Sequence, residues 1–334
     1  MRILVTGGAG FIGSHYVRTL LAGGYEGLGG YEGYTDARVT VVDKLTYAGN
    51  RANLPASHPR LDFVHGDITD RALLLDLLPG HDAVVHFAAE SHVDRSVESA
   101  AAFVHTNVGG TQTLLDAALA TGVRRVVHVS TDEVYGSIER GAWTEEWPLL
   151  PNSPYAASKA ASDLIARSYW RTHGLDVSIT RCSNNYGPYQ HPEKLIPLFV
   201  TNLLEGEGVP LYGDGTNVRE WLHVDDHCRA IQLVLTGGRA GEIYNVGGGN
   251  ELTNRQMTQR ILDLCGAEWS SVRHVADRKG HDLRYALDET KIREELGYEP
   301  RVSFAQGLAD TVAWYRDNPG WWKAAKHGAE ERTA

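Results

Sequence analysis

Three apolar residues, Ile3-Leu4-Val5, run straight into Thr6-Gly7-Gly8-Ala9-Gly10-Phe11-Ile12-Gly13, and an amphipathic helix is expected over 11–21. No other feature limits the fold as strongly. Glycine lets the backbone turn tightly and approach a pyrophosphate held at a helix N-terminus. The glycines fit G-x-G-x-x-G at Gly8, Gly10 and Gly13, and G-x-x-G-x-x-G from Gly7. A glycine pattern alone is equally at home in an ordinary turn. With a strand before it and a helix after it, it reads as a dinucleotide site.

The rest of the first half keeps the same rhythm. Strands are expected over 39–42, 62–65, 83–87, 126–129 and 177–180, with helices over 70–78, 99–121 and 155–173 between them. Strand and helix in alternation predict a Rossmann-type, doubly wound parallel α/β sheet. Gly-Gly-Tyr-Glu-Gly occurs twice, at 23–27 and 29–33, and the segment 23–38 reads as a surface loop that buries little. Asp43 ends the second strand. An acid there either accepts from an adenosine ribose, favouring NAD over NADP, or is a solvated strand end. Asp67 either meets an adenine amino group or caps the helix that follows it.

After residue 182 the pattern loosens. Helices are expected over 200–204, 226–235, 253–264, 289–296 and 304–316, with an edge strand over 210–213 and a polar, frayed tail from Lys323. This predicts an NAD-binding domain over 1–182, which a strand near 243–247 rejoins. A smaller, irregular α/β substrate-binding domain over 183–330 and a frayed end at 331–334 complete the chain.

Composition narrows the function. A net charge of −10 argues against nucleic acid as a partner. No apolar run is long enough to span a bilayer, and the N-terminus turns to glycine too early for a signal peptide. The sparse cysteines Cys182, Cys228 and Cys265 predict reduced thiols in a cytoplasmic protein, and no pair has metal-ligand spacing.

The chemistry concentrates in Ser130-Thr131-Asp132-Glu133-Val134-Tyr135-Gly136 and Tyr155-Ala156-Ala157-Ser158-Lys159. The first follows a buried strand, so its two carboxylates lie where an open α/β sheet binds its ligand. Tyr155 and Lys159 share one helix face, and an ammonium beside a phenol favours the phenolate base. As a bare i,i+4 pair they also suit any helix surface.

Thr6-Gly7-Gly8-Ala9-Gly10-Phe11-Ile12-Gly13 with Tyr155-x-x-x-Lys159 resembles the extended short-chain dehydrogenase/reductase superfamily. Within it, Ser130 to Gly136, Asp43 to Asn50, Ala88 to Asp94, Asn184 to Gln190, Pro192 to Pro197 and Gly213 to Arg219 resemble the dTDP-glucose 4,6-dehydratases. The resemblance runs from Arg2 to about Tyr315, and departs at the loop over 23–38 and at Lys279, where the family usually has Pro. It implies a homodimer that turns dTDP-glucose into the 4-keto-6-deoxy sugar, recycling NAD. Thr131, Asp132, Glu133, Tyr155 and Lys159 would be catalytic, with Asp132 the elimination acid and Glu133 the base. NAD would be held by Gly7, Gly10, Phe11, Ile12, Gly13, Asp43, Lys44, Leu45, Thr46, Asp67, Ile68, Ala88, Ala89, Ser91, Thr106, Tyr155, Lys159 and Asn185. The sugar nucleotide would meet His92, Thr131, Asn184, Lys194, Leu195, Pro210, Tyr212, Arg219, Asn254, Arg278 and His281. His92 also suits a satisfied core histidine, Arg219 a surface pair with Glu220, and Asn250 competes with Asn254. A 4-epimerase or decarboxylase on the same fold would share the glycines, Tyr155 and Lys159, but epimerases usually carry small residues in place of Asp132 and Glu133. A non-catalytic NAD sensor would not need the Tyr-Lys pair.

Overall fold

The computed structural model describes residues 1–28, 34 and 36–327. Strands β1 (Arg2–Thr6), β2 (Arg38–Asp43), β3 (Leu61–His65), β4 (Ala83–His86), β5 (Arg125–Thr131) and β6 (Val177–Cys182) are joined by β10 (Ile243–Val246). They form a parallel sheet in the order β10-β6-β5-β4-β1-β2-β3. The order reverses between β1 and β4, which opens a crevice at the carboxyl ends of the strands.

Helices cover both faces. On one side α1 (Phe11–Leu21) and α8 (Val224–Gly237) close a core that includes Val5, Val41, Val127, Cys182 and Tyr244. On the other, α2 (Arg71–Leu77), α5 (Thr111–Thr121) and α6 (Pro154–His173) pack on Leu4, Val84, Val126 and Ile179. Strands buried on both faces explain the near-continuous apolar runs in the sequence.

The remaining segments build a lobe over the carboxyl edge. It holds a sheet ordered β11-β9-β7 (Glu251–Thr253, Val218–His223, Asn184–Tyr186) and a parallel pair β12-β8 (Val272–Val275, Val209–Tyr212). Its core joins α7 (Leu195–Leu204), α9 (Asn254–Cys265) and α11 (Phe304–Asp317) around Phe199, Trp221, Met257 and Tyr315. The helix α10 (Thr290–Leu296) lies against β10.

Several expectations need correction. The helix expected over 99–121 is preceded by a separate α3 (Val93–Glu98), and it starts as α4 (Ala101–Phe103), runs through a π turn (Val104–Gly110) and only then becomes α5. The tail is not frayed from Lys323. It continues as α12 (Pro319–His327), because Trp322 is buried with its indole N–H on the Tyr315 carbonyl and Lys326 pairs with Glu205 and Glu207. Residues 331–334 and the second glycine repeat at 29–33 lie outside the described residues. The first repeat buries more than its composition suggests, since Tyr25 stacks on Tyr16 with ring centroids 5.5 Å apart. The helix α2 is capped by Asp70, whose carboxylate accepts from Leu73 N–H, and not by Asp67. Among the described residues no helix is long and apolar enough to cross a membrane.

Candidate active site

Two glycines explain how the first turn closes. Gly7 sits at φ +68°, and a Cβ there would lie 2.6 Å from Ala88 N. A Cβ on Gly13 would lie 2.4 Å from the Gly7 carbonyl, so α1 can press onto the loop only with glycine at that place. The helix begins at Gly10 with no side chain capping its first turn. Its free N–H groups therefore face the crevice, a ready anion site. Asp43, almost fully buried, fixes this loop: one carboxylate oxygen accepts from Ala9 N–H at 2.9 Å and the other from Leu45 N–H at 2.8 Å. Each oxygen keeps a second lone pair for a ligand hydroxyl.

The loop opens into a cavity of about 310 Å³. It is lined by Gly7, Gly10, Phe11, Ile12, Gly13, Asp43, Lys44, Thr46, Asp67, Ile68, Ala88, Ala89, Ser91, Thr106, Lys159 and Asn185, all singled out in the sequence. Leu45 is not on its wall; its backbone is left-handed at φ 53° and its N–H faces Asp43 instead. Lys44 and Asp67 pair at 2.7 Å across the rim.

A second cavity of about 210 Å³ lies beneath the smaller lobe. His92, Asn184, Lys194, Leu195, Pro210, Tyr212, Arg219, Asn254, Arg278 and His281 line it. Glu133, Asn184, Asn185, Gln190, Glu193 and Lys194 belong to both cavities, so the two spaces meet at Glu133, while Asp132 lines the first alone. Arg219 is buried away from Glu220. Its guanidinium lies 4.2 Å from the Tyr285 ring centroid and donates to the carbonyls of Val218 and Asp282. Glu220 turns to the other side and accepts from Gly248, Gly249 and Leu287 N–H groups. Arg278 reaches Asp94 at 3.2 Å, and Tyr212 donates to the same carboxylate at 3.4 Å. Asn254 is buried with its side-chain Oδ1 unpartnered, whereas the Asn250 side chain is spent on the Gly248 carbonyl. His92 is both things expected of it: it lines the cavity, and it caps α3 by accepting from Arg95 N–H, while burial pushes its imidazole down to about 4. Lys279 lies exposed in a turn, between Arg278 and Gly280 of the cavity wall, and is not itself on that wall.

At the junction, Thr131 closes β5 and caps a single 3₁₀ turn, Asp132–Tyr135. Its hydroxyl accepts from Glu133 N–H at 3.3 Å, donates to Asp132 Oδ1 at 3.2 Å, and lies near enough to Tyr155 to draw its phenol down a little against burial. Burial raises both carboxyls, but they are not alike. Asp132 is also raised by its neighbours Glu133 and Glu220, and its Oδ2 has no partner. Glu133 is raised by burial and pulled back by Lys194, Arg219 and Arg278. The surroundings thus favour a protonated Asp132 beside a more easily ionised Glu133.

Tyr155 and Lys159 sit on the buried face of α6, which Ser153 caps and Pro154 opens. Lys159 donates to the Val129 carbonyl at 2.8 Å, and burial lowers its ammonium to about 8. The Tyr155 phenol, however, is raised by burial and by Glu133, not lowered. Sequence reasoning also passed over Glu193, whose carboxylate is buried between His92 at 3.5 Å and Arg95 at 3.6 Å, and Tyr285, which donates to Asp282. Glu193 stands inside the Pro192 to Pro197 motif, where Lys194 and Leu195 are the expected contacts; Tyr285 carries no local signal.

A family model described as GDP-mannose 4,6 dehydratase matches residues 4–311. The dTDP-glucose 4,6-dehydratase of Streptomyces niveus is 63% identical over 328 residues, 98% of this chain and 96% of that one. The chain belongs to the dTDP-glucose 4,6-dehydratase family. A crystal structure of a dTDP-glucose 4,6-dehydratase from Streptomyces venezuelae, with NAD bound, is 70% identical and superposes with a TM-score of 0.95 over 98% of this chain and 100% of that one. The UDP-glucose 4-epimerase of Thermotoga maritima shares the fold at 33% identity, with a TM-score of 0.86 over 96% of this chain and 100% of that one. The dehydratase family is therefore separated from its epimerase neighbours by sequence more than by backbone.

Proposed function

We propose that the chain is an NAD-dependent dTDP-glucose 4,6-dehydratase, converting dTDP-glucose to dTDP-4-keto-6-deoxyglucose and water. The observation that carries this reading is the meeting of the two cavities at the half-buried Glu133, next to the buried Asp132 and beside Tyr155. An epimerase moves one hydride and one proton and needs no elimination acid and base. The names of relatives more than 60% identical over nearly the whole chain support the substrate.

The residues fit NAD: an uncapped helix N-terminus for the pyrophosphate, Asp43 for the adenosine ribose, and Lys159 and Tyr155 beside the far end of the cavity. When bound, NAD accepts hydride from C4 of the sugar and returns it to C6, ending the cycle as it began. Tyr155 takes the C4 hydroxyl proton. Burial holds its phenol up, so the base forms only where positive charge stands beside it: the Lys159 ammonium one helical turn away, and the oxidised nicotinamide. Thr131 hydrogen-bonds the same C4 oxygen. With a ketone at C4, the C5 proton is acidic and Glu133 removes it. Asp132 protonates the departing C6 hydroxyl, which leaves as water, and C5 regains a proton as C6 receives hydride. Arg219, with Arg278, Lys194, Asn184 and Asn254 around it, holds the nucleoside diphosphate, its planar fork suiting phosphate oxygens.

The purified protein is tested with dTDP-glucose and, separately, with UDP-glucose. A 4-keto-6-deoxy product from the first supports the reading; a C4 epimer from either contradicts it. Asp43→Ala is expected to cut NAD retention about tenfold or more, since a hydrogen bond to a charged acceptor is worth roughly 1.5–3 kcal/mol. Undiminished NAD content after dialysis would remove Asp43 from the ribose site.

We further propose a cytoplasmic homodimer. Val97, Val104, Leu119 and Leu164 stand in solvent on α3, the π turn, α5 and α6, an apolar surface that a second copy of the same face would cover. Val104→Glu with Leu164→Glu is expected to yield monomers by analytical ultracentrifugation; a wild-type monomer would dismiss the dimer.

A further inference from the structure

Behind the junction lies a buried polar chain that the reaction itself does not use. Tyr135 ends the turn that carries Asp132 and Glu133. Its ring is buried and stacks on Trp143, with centroids 5.3 Å apart. Its hydroxyl accepts from an Arg181 guanidinium N–H at 2.8 Å and donates to Asn245 Oδ1 at 2.8 Å. The Arg181 Nε–H donates to Asp163 Oδ2 at 2.8 Å. Asp163 lies four residues beyond Lys159 on α6, and the Arg181 charge helps hold its carboxyl down at about 2. Asn245 is fixed in turn by its own amide on the Trp143 carbonyl at 2.8 Å. All four side chains are at most 2% exposed.

The chain of contacts has a consequence for geometry. The carboxylates on the 3₁₀ turn and the phenol and ammonium on α6 come from different elements, and elimination needs them in register across one sugar ring. The turn is only four residues long and carries one cap, so its own hydrogen bonds fix it weakly. The Tyr135 hydroxyl closes the gap: through Arg181 on β6 and Asp163 on α6 it ties the turn to the helix, and through Asn245 it ties the turn to β10.

We propose that Tyr135, held by Arg181, is a positioning residue for the elimination step, setting Asp132 and Glu133 against Tyr155 and Lys159. This rests on the dehydratase reading above. C4 oxidation depends on α6 and the cofactor pocket, which the change from phenol to phenyl leaves alone; proton removal at C5 and protonation at C6 depend on the turn.

The test is Tyr135→Phe, which keeps the ring on Trp143 and removes one oxygen. Product formation is expected to fall about tenfold or more, since misplacement by about 1 Å can cost a hundredfold. NAD content and KM for dTDP-glucose are expected to stay unchanged. During turnover the near-ultraviolet absorbance of NADH is expected to build up on the variant, with exchange of the C5 hydrogen for solvent deuterium slowed in proportion. Arg181→Lys keeps a cation on Asp163 but withdraws the second donor, and is expected to show the same build-up. A merely structural role would lower the melting temperature and slow every step alike, with no NADH signal, and that result overturns the proposal. Wild type is run alongside. No ketone from wild type removes the dehydratase reading and this proposal with it; equal ketone from both proteins with the same cofactor spectrum overturns this proposal alone.

Discussion

The double variant Asp132→Asn, Glu133→Gln is expected to bind NAD and dTDP-glucose but form 4-keto-6-deoxy product at least about 10³-fold more slowly, as each proton-transfer group contributes typically 10²–10⁴-fold. The replacements are nearly isosteric and remove the charge whose burial raises both groups, so folding is not expected to suffer. Oxidation at C4 needs neither side chain, and reduced cofactor is expected to accumulate on the variant. The wild-type pH dependence has a determined sign. Glu133 must be ionised, so elimination rises as pH passes its pKa from below. Asp132 must be protonated, and its pKa is the more strongly raised, so the rate falls again when it ionises. Rapid-quench analysis of products against pH checks both limbs. Ketone formed by the double variant at the wild-type rate would show that other groups carry the protons.

Tyr155→Phe is expected to abolish the first step. The phenol is buried, one turn from Lys159 and near Thr131, and among the described residues lining the cavity no other combines a removable proton with a cation on the same helix face. Loss of a general base of this kind costs roughly 10²–10⁴-fold. Unlike the carboxylate variant, Tyr155→Phe is expected to show no reduced cofactor with dTDP-glucose, because the sequence stops before hydride moves. Mixing the variant with substrate and following NADH absorbance separates the two cases. A variant that builds up NADH at the wild-type initial rate would exclude Tyr155 as the C4 base.

Much of this was legible in the sequence because the decisive elements are local. A strand, three glycines and a helix over 3–21 are enough to specify the first crossover, and apolar runs such as 126–129 mark strands buried on both faces. The catalytic group of residues was legible for the same reason: Asp132 and Glu133 follow a strand directly, and Tyr155 and Lys159 share a helix face. Whatever depends on long-range packing was not. Trp322 makes a helix of a polar tail by filling a hole beside Tyr315. Glu193 acquires its buried setting only when α3 brings His92 and Arg95 to it, over about a hundred residues of sequence. The burial and the Glu133 charge that raise the Tyr155 phenol are likewise a matter of tertiary distance. Pattern at period 2 or 3.6 gives the face of an element, and not the group that comes to lie opposite it.

The most direct test of the central claim is to incubate the purified protein, with no NAD added, with dTDP-glucose deuterated at C4, and to locate the label in the product by NMR. The expected product is a 4-keto-6-deoxy sugar nucleotide with deuterium on C6, since one bound cofactor takes hydride from C4 and returns it within the same molecule. Deuterium retained on C4 of an epimerised sugar, or no ketone even after NAD is supplied, would contradict it.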